Sequence, residues 1–132
     1  MKTGIIFLLF ISFLFSQTWF NDFEKATEVA KKEKKLVLVY IYSEHCPYCH
    51  QVEEFVFGDE DVENLLKKDF VVVSLNISEE EAERFDPIGT PTFVIYDPFK
   101  KKVLAKFFGS LDAETFRSML IRVCNKSSLR RC

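Results

Sequence analysis

Glycine and proline are scarce in this sequence, with four of each among 132 residues. That scarcity excludes collagen-like and low-complexity chains, and a composition of 48% hydrophobic and 29% charged residues is typical of a globular protein. We expect one domain, because single domains cluster near roughly 100 to 150 residues. The chain shows no internal repeat and no linker that would separate a second domain.

An excess of charge of one sign is also lacking. Eighteen lysines and arginines stand against twenty aspartates and glutamates, for a formal net charge of -2, and the two signs are mixed along the chain. This distribution gives no electrostatic footprint for nucleic acid or for an anionic membrane surface. We therefore predict no nucleic-acid partner. We also expect a monomer, because the chain has no room for an added dimerisation domain.

No hydrophobic run reaches the roughly 20 residues that a transmembrane helix needs. The run from Gly4 to Phe15 is shorter, follows the basic start at Lys2, and ends at the small residue Ser16. This pattern predicts a signal peptide over residues 1–16 and a periplasmic or secreted protein, with membrane anchoring if the peptide is not cleaved. The four cysteines would then lie in an oxidising compartment.

Hydrophobic periodicity predicts an α/β fold, with a central mixed sheet of about four strands flanked by helices in the order α-β-α-β-α-β-β-α. The predicted strands are Leu36 to Tyr42, Phe70 to Ile77, Thr92 to Tyr96 and Val103 to Phe108. The first predicted helix runs from Asn21 to Lys34, with Trp19 and Phe20 in the same apolar pattern, and two more run from Tyr48 to Phe57 and from Asp59 to Lys68. A capping box of Ser78 and Glu81 predicts the start of a fourth helix, and a cap at Asp112 predicts the start of the last one.

The chemistry is concentrated in Cys46-Pro47-Tyr48-Cys49, between a buried strand and the start of a helix. A thiol at a helix N-terminus meets unpaired backbone N–H groups and the positive end of the dipole, which favour its thiolate. Cys46 is therefore the predicted nucleophile. Cys49, one turn further on, is placed to resolve a mixed disulfide on Cys46, and Pro47 is tolerated in the first helical turn.

Two histidines flank this motif. An imidazolium at His45 or His50 would lower the pKa of a nearby thiol and make the disulfide more oxidising, whereas Glu44 would oppose that effect. These three residues are candidates for tuning the site. Each is equally well explained as an ordinary solvated side chain.

A second motif, Gly89-Thr90-Pro91-Thr92, stands directly before the third strand. Proline cannot donate to a sheet ladder and requires a special conformation there, so we predict a cis Thr90–Pro91 bond.

The order strand, Cys-Pro-Tyr-Cys, helix, strand and Thr-Pro-Thr resembles the thioredoxin superfamily over roughly Trp19 to Val123, and the N-terminal half resembles its exported bacterial members. The resemblance implies a thioredoxin-like domain at residues 17–123 and a tail at 124–132. It implies thiol-disulfide exchange without metal or cofactor, on a protein or small-molecule disulfide. It also implies that Thr90 and Pro91 pack against the cysteine pair and offer backbone to an extended substrate.

Two positions depart from the cytoplasmic thioredoxins that the chain resembles. Their buried aspartate, thought to move a proton during exchange, is replaced by Tyr40, and a lysine on the next strand is replaced by Ser74. Glu44 is a candidate substitute through water. A general reductase of the cytoplasmic kind is therefore not implied, and we expect a specialised reductase that a membrane electron donor keeps reduced.

Cys124 and Cys132 flank a polar, basic segment outside the family's core. A structural disulfide is the first interpretation in an oxidising compartment, and free or intermolecular thiols are the alternative.

Two other functions remain open. Cys46, Cys49 and His50 match the attachment signature of c-type haem. A thioredoxin fold can also serve as a binding module without catalysis. A zinc site would need two further ligands near the cysteine pair.

Overall fold

The computed structural model describes residues 19–132. The signal peptide expected over residues 1–16 lies outside the described residues. Among the helices within 19–132, none is long and apolar enough to cross a membrane.

A five-stranded mixed sheet with strand order β1-β3-β2-β4-β5 organises the fold. The strands are β1 (Trp19–Phe20), β2 (Leu36–Tyr42), β3 (Phe70–Asn76), β4 (Thr92–Asp97) and β5 (Lys102–Phe108). β1 and β2 run parallel to β3, whereas β4 is antiparallel to both β2 and β5. The predicted mixed sheet is confirmed, with one strand more than the four expected.

The additional strand is β1, and its residues were wrongly included in the apolar pattern of the first helix. Trp19 pairs with Val72 and Phe20 with Val73 on the outer edge of β3. The Trp19 ring packs edge-on against Phe57, while Phe20 lies in the core on the other face of the sheet. This placement on opposite faces is the two-residue period of a strand.

Helices cover both faces of the sheet. They are α1 (Phe23–Glu33), α2 (Pro47–Gln51), α3 (Glu60–Asp69), α4 (Glu80–Glu83) and α5 (Ala113–Lys126), and a π-helical turn, Val52–Val56, continues directly from α2. Asp22, Asp59 and Asp112 each accept a hydrogen bond from the backbone N–H three residues on. The predicted cap at Asp112 is confirmed, and the first helix is capped by Asp22.

The capping box predicted for Ser78 and Glu81 is wrong. The N–H and hydroxyl of Ser78 both donate to the Asn76 side chain, and α4 begins after Glu79 without a side-chain cap. Glu81 instead accepts a hydrogen bond of 2.8 Å from the N–H of Phe23, across the fold. It thereby satisfies a donor in the first turn of α1, which a local box would have left unpaired.

β2 separates the two halves of the core. Leu36, Leu38 and Tyr40 face the layer that contains α3 and α5, and the intervening residues face the layer that contains α1. All residues from Leu36 to Ile41 are buried. This burial on both faces is what the unbroken apolar run predicts for a central strand.

The C-terminal segment begins later than the boundary expected at residue 124. α5 runs to Lys126, and Cys124 is fully buried one turn after Leu120 on the same face of the helix. Cys124 forms a disulfide with Cys132, with 5.7 Å between the Cα atoms. The tail after Lys126 is therefore fastened to the core at both ends.

Polar contacts hold this tail against the end of the sheet where β2 begins. Arg131 donates to the carbonyl oxygen of Lys34 at 2.7 Å, and its Nε lies 3.4 Å from the carboxylate of buried Asp69. The Ser128 hydroxyl donates to Asp97 at 2.7 Å.

We predict that Cys132→Ser lowers the free energy of unfolding by about 2 to 3 kcal/mol. The cross-link closes a loop with a sequence separation of 8, and its loss restores entropy to the unfolded chain. Urea denaturation with the Cys46–Cys49 pair kept oxidised measures the change. Asn125→Ser, at an exposed position of α5 next to Cys124, is the matched control. Equal stability of both variants would contradict a structural role for the bond.

A second prediction concerns Asp97, whose carboxylate also accepts from the backbone N–H groups of Phe99 and Lys100. Burial raises the pKa of Asp97, but these hydrogen bonds and that from Ser128 outweigh it, so the pKa lies below its ordinary value of 3.8. A depressed folded pKa contributes stability that is present above the unfolded pKa and is lost as the pH falls through the folded pKa.

Asp97→Asn should therefore reduce stability at neutral pH by about 1 to 2 kcal/mol. Its difference from the unmodified protein should shrink as the pH falls below 3.8. Urea denaturation over this range tests both statements, with Asp86→Asn, an exposed aspartate, as the control. A difference that does not depend on pH would show that the Asp97 charge does not contribute.

Candidate active site

The central strand leads directly to the cysteine pair. β2 ends at Tyr42, a short turn follows, and Cys46 is the N-cap residue of α2. Cys46 and Cys49 form a disulfide, with 5.2 Å between their Cα atoms. Pro47 occupies the first turn of the helix, where its missing N–H removes no helical hydrogen bond.

The two sulfurs differ in their surroundings. The Cys46 sulfur accepts a hydrogen bond of 3.1 Å from the N–H of Cys49, the role that an oxygen plays in an ordinary N-cap. Cys46 is 4% exposed and Cys49 is 1% exposed. The first turn of the helix therefore directs the Cys49 N–H at the sulfur of the slightly more exposed cysteine, as the predicted nucleophile requires.

The Thr90–Pro91 segment is tied to the turn before Cys46. The Thr90–Pro91 peptide bond is cis, and the Thr90 hydroxyl lies 2.8 Å from the hydroxyl of Ser43. The carbonyl oxygen of Pro91 accepts from the N–H of Gly109 at 2.9 Å, which joins this segment to the end of β5. Sequence reasoning missed Ser43, although a polar residue directly after a buried strand was the available signal.

The three residues proposed to tune the site are all exposed. His50 Nδ1 lies 3.4 Å from the carboxylate of Glu53, one helical turn along, and His50 therefore has an anionic partner of its own. Within residues 19–132, no hydrogen bond or ion pair joins Glu44 or His45 to the disulfide. Tuning by Glu44, His45 and His50 stays a prediction.

Tyr40 and Ser74, the positions that depart from the cytoplasmic thioredoxins, are partners across β2 and β3. Tyr40 is 2% exposed, and its hydroxyl donates to the carbonyl oxygen of Cys49 at 3.5 Å. Burial, followed by the nearby Glu53 carboxylate, raises the pKa of Tyr40 well above its usual range. A protonated hydroxyl thus lies beneath the cysteine pair.

Large exposed apolar side chains lie within or next to the two motifs. Tyr48, Ile88 and Phe108 are 62%, 81% and 54% exposed, which is unusual for large apolar side chains. The Phe108 ring lies against Gly89, where an added Cβ would be only 2.8 Å from the ring. A larger residue at Gly89 would therefore require the exposed Phe108 ring to move.

The tail cysteines belong to the other end of the molecule. Arg131 binds Lys34, two residues before β2, whereas Cys46 follows the end of that strand. A strand of seven residues separates the two disulfides by roughly 20 Å. Within 19–132, no three His, Cys, Asp or Glu side chains are grouped so that they could hold a metal ion.

The site combines a CxxC disulfide at a strand-to-helix junction with a cis-proline segment that is tied to the turn before Cys46. A family model described as thioredoxin-like matches residues 18–98. The chain therefore belongs to the thioredoxin-like family, and the resemblance noted in the sequence is confirmed.

Known proteins support this assignment. The solution structure of a thioredoxin from Thermus thermophilus is 36% identical, with a TM-score of 0.75, and the match covers 83% of this chain and 88% of that one. Spermatogenesis-associated protein 20 of Rattus norvegicus is 28% identical over 82% of this chain. The thiol:disulfide interchange protein DsbD of Shigella boydii is 29% identical over 65% of it. The chain spans only 16% of the length of each of these two relatives.

The fold also bears on the haem alternative. The Cys46 and Cys49 sulfurs are bonded to each other, and His50 is paired with Glu53. A mixed sheet also differs from the fold of a small helical cytochrome, which the haem alternative would imply.

We predict that iodoacetamide modifies Cys46 before Cys49 after selective reduction of this pair. Cys46 is the more exposed cysteine and the one that accepts a helix N–H, and its thiolate is therefore favoured. Peptide mass mapping after short exposures gives the order of labelling. The Cys46→Ser variant is the control and should label slowly at Cys49. Earlier labelling of Cys49 would reverse the assignment of the two roles.

Proposed function

We propose that the chain exchanges disulfides with exported protein substrates through Cys46 and Cys49, acting mainly as a reductase. The observation that carries this proposal is the Cys46 sulfur at the helix start, accepting the Cys49 N–H and bonded to the buried partner sulfur. An inert disulfide would not require a helix N-terminus directed at one of its two sulfurs.

The exchange proceeds in two steps. The Cys46 thiolate attacks one sulfur of a client disulfide, forming a mixed disulfide and releasing the other client sulfur as a thiolate. The Cys49 thiol then loses its proton and attacks the Cys46 sulfur, which displaces the second client thiolate. The client gains two electrons and two protons, and the dithiol of this protein becomes the disulfide.

The exposed apolar side chains of Tyr48, Ile88 and Phe108 support a protein client in preference to a small thiol. Exposed apolar surface next to a reactive group is typical of a site that binds polypeptide. We propose that Thr90 and Pro91 contribute backbone to an extended client segment. The contact between the Thr90 and Ser43 hydroxyls, which ties Thr90 to the turn before Cys46, supports this role.

The reductive direction is supported by the small number of groups placed to stabilise a thiolate at Cys46. The Cys49 N–H is its described donor, and the nearby His50 is paired with Glu53. A thiolate that is weakly stabilised makes the disulfide form relatively favourable, and such a dithiol donates electrons. The similarity to a thioredoxin and to a thiol:disulfide interchange protein agrees with exchange activity.

We further propose a periplasmic or secreted location, with an electron donor in the membrane that regenerates the dithiol. Two features support this location. Residues 1–16 have the composition of a signal peptide, and the second disulfide, between Cys124 and Cys132, is a bond that persists in oxidising compartments.

Equilibration with glutathione or dithiothreitol buffers tests the direction, with the Cys46 and Cys49 peptides followed by mass. We expect a reduction potential of roughly -270 mV for the Cys46 and Cys49 couple, in the range of reducing members of this fold. A value near roughly -120 mV would show an oxidant and contradict the reductase assignment. Insulin reduction by the unmodified protein, with Cys46→Ser as control, separates catalysis from mere binding.

A further inference from the structure

The end of the sheet opposite the cysteine pair is built from strand ends that lie side by side. β2 and β3 both begin there, because Leu36 pairs with Phe70. β4 ends and β5 begins there, because Asp97 pairs with Lys102, and the antiparallel register of β2 and β4 places both pairs at one level. α1 and α3 end directly before β2 and β3, and so their last turns lie at the same end. The tail after α5 is bound there by the polar contacts described above.

Lysine and arginine side chains collect at this end, which we call the basal face and which comprises residues 31–36, 67–70, 97–102 and 126–131. Most of the chain's 18 cationic residues belong to it, namely Lys31, Lys32, Lys34, Lys35, Lys67, Lys68, Lys100, Lys101, Lys102, Lys126, Arg130 and Arg131. All are exposed except the partly buried Lys35. The acids of the face are Glu33, Asp69 and Asp97, and none of these three is exposed. The mixture of signs along the sequence therefore conceals a separation of charge in space.

Ion pairs neutralise a minority of these cations. The pairs that involve the basal face are Lys35–Glu33, Lys67–Glu63 and Arg131–Asp69. Lys100 in addition helps to lower the pKa of the buried Asp97 carboxyl, after the stronger effect of the hydrogen bonds. The other lysines and arginines of the face form no ion pair within residues 19–132. Their mutual repulsion is relieved when an anionic surface binds against them.

Apolar side chains are exposed among these lysines. Phe99 is 43% exposed and directly precedes Lys100, and Val103 is 44% exposed on β5. Phe99 and Leu129 also line a shallow apolar cavity next to Lys34. Aromatic and basic residues on one surface are typical of proteins that bind at a membrane interface, where the ring lies at the level of the headgroups.

The N-terminal segment joins the domain on the same side. β1 is parallel to β3, so the chain runs from Trp19 to Phe20 in the direction away from the basal face. The apolar run at residues 4–15 is separated from Trp19 by residues 16–18. Three residues span at most roughly 11 Å. An N-terminal anchor that is not cleaved would therefore hold the basal face towards the membrane.

The opposite end of the molecule carries acids next to the reactive site. Glu44 lies in the turn before Cys46, Asp86 precedes β4 and Asp112 follows β5, and all three acids are exposed. An anionic surface repels this end and attracts the basal face, so that electrostatics alone orients the protein.

We propose that the basal face binds the anionic headgroups of a membrane surface and that the bound protein directs Cys46 away from the bilayer. The lysines and arginines contact the lipid phosphates, and Phe99 lies among the headgroups. This inference goes beyond the exchange function and rests on the proposed export only for which membrane the protein meets. Clients then reach the cysteine pair from the aqueous side, and an electron donor must present its own thiols at a distance from the bilayer.

Sedimentation with lipid vesicles tests the binding. The protein is isolated after export with its disulfides intact, and its N-terminus is defined by mass. Partition onto vesicles of phosphatidylcholine with phosphatidylglycerol is divided by partition onto phosphatidylcholine alone, so that any contribution of a retained apolar run cancels. We expect a ratio of about 100 or more at low salt, because each lysine or arginine near an anionic surface contributes about fivefold. The ratio should fall towards one at high salt.

Charge variants locate the binding surface. Lys32→Gln combined with Lys102→Gln removes exposed charges from α1 and β5 and should lower the ratio about tenfold or more. Lys25→Gln combined with Arg117→Gln removes the same charge from exposed positions outside the basal face. This control should keep the ratio within about twofold of the unmodified protein. Far-UV circular dichroism verifies that each variant is folded.

Labelling of Cys46 tests the orientation. Iodoacetamide is neutral and is therefore not repelled by anionic vesicles. With the Cys46–Cys49 pair selectively reduced, its rate of reaction at Cys46 should be the same with and without saturating vesicles. A several-fold slower reaction on the vesicles would show that the bilayer covers the reactive site, and the proposed orientation would be wrong.

The remaining outcomes are distinguishable. Equal ratios for the two double variants would overturn the basal face as the binding surface. Displacement by inorganic phosphate beyond that by chloride at equal ionic strength would identify a site for the free anion and would also overturn the proposal. Neither result affects the exchange function, because vesicle binding is measured without thiol chemistry. A protein that binds vesicles but does not reduce insulin would contradict the exchange function and leave this inference standing.

Discussion

Burial of β2 on both faces is the constraint on which the rest of this structure depends. The strand pairs with β3 on one side and β4 on the other, so its backbone groups are satisfied and its side chains divide the core into two layers. A strand held in this way has almost no freedom at its end. Cys46 follows that end by four residues and is therefore presented at a fixed place above the sheet.

The same burial shapes the chemistry of the pair. Cys46 and Cys49 belong to the core layer that contains Tyr40, and their sulfurs meet more protein than water. In such surroundings a single hydrogen bond or carboxylate matters more than it would at the surface. In this layer Tyr40 places a protonated hydroxyl against the carbonyl oxygen of Cys49.

The sequence predicted the features that depend on local pattern. The bounds of β2 follow from an unbroken apolar run between Lys35 and Ser43, and the Cys46 and Cys49 motif follows from its place after that strand. β1 could not be predicted, because two residues are too few to show a period. Glu81 was misassigned because its partner, the N–H of Phe23, is 58 residues away in the chain.

The candidate site shows the same division. Thr90 and Pro91 carried a local signal, whereas Ser43 acquires its importance only from a contact across 47 residues. The contact between the Tyr40 hydroxyl and the carbonyl oxygen of Cys49 arises from the packing of α2 against β2, which no local pattern encodes.

The position of the second disulfide has a consequence for a protein that handles electrons. A reduced Cys46 could attack a disulfide of the same chain only if that disulfide lay within its reach. The Cys124–Cys132 bond lies at the far end of the sheet, with Cys124 fully buried and the full length of β2 between it and Cys46. The fold thereby insulates the bond that secures its C-terminus from self-reduction, and one small protein can carry a permanent cross-link and a working one.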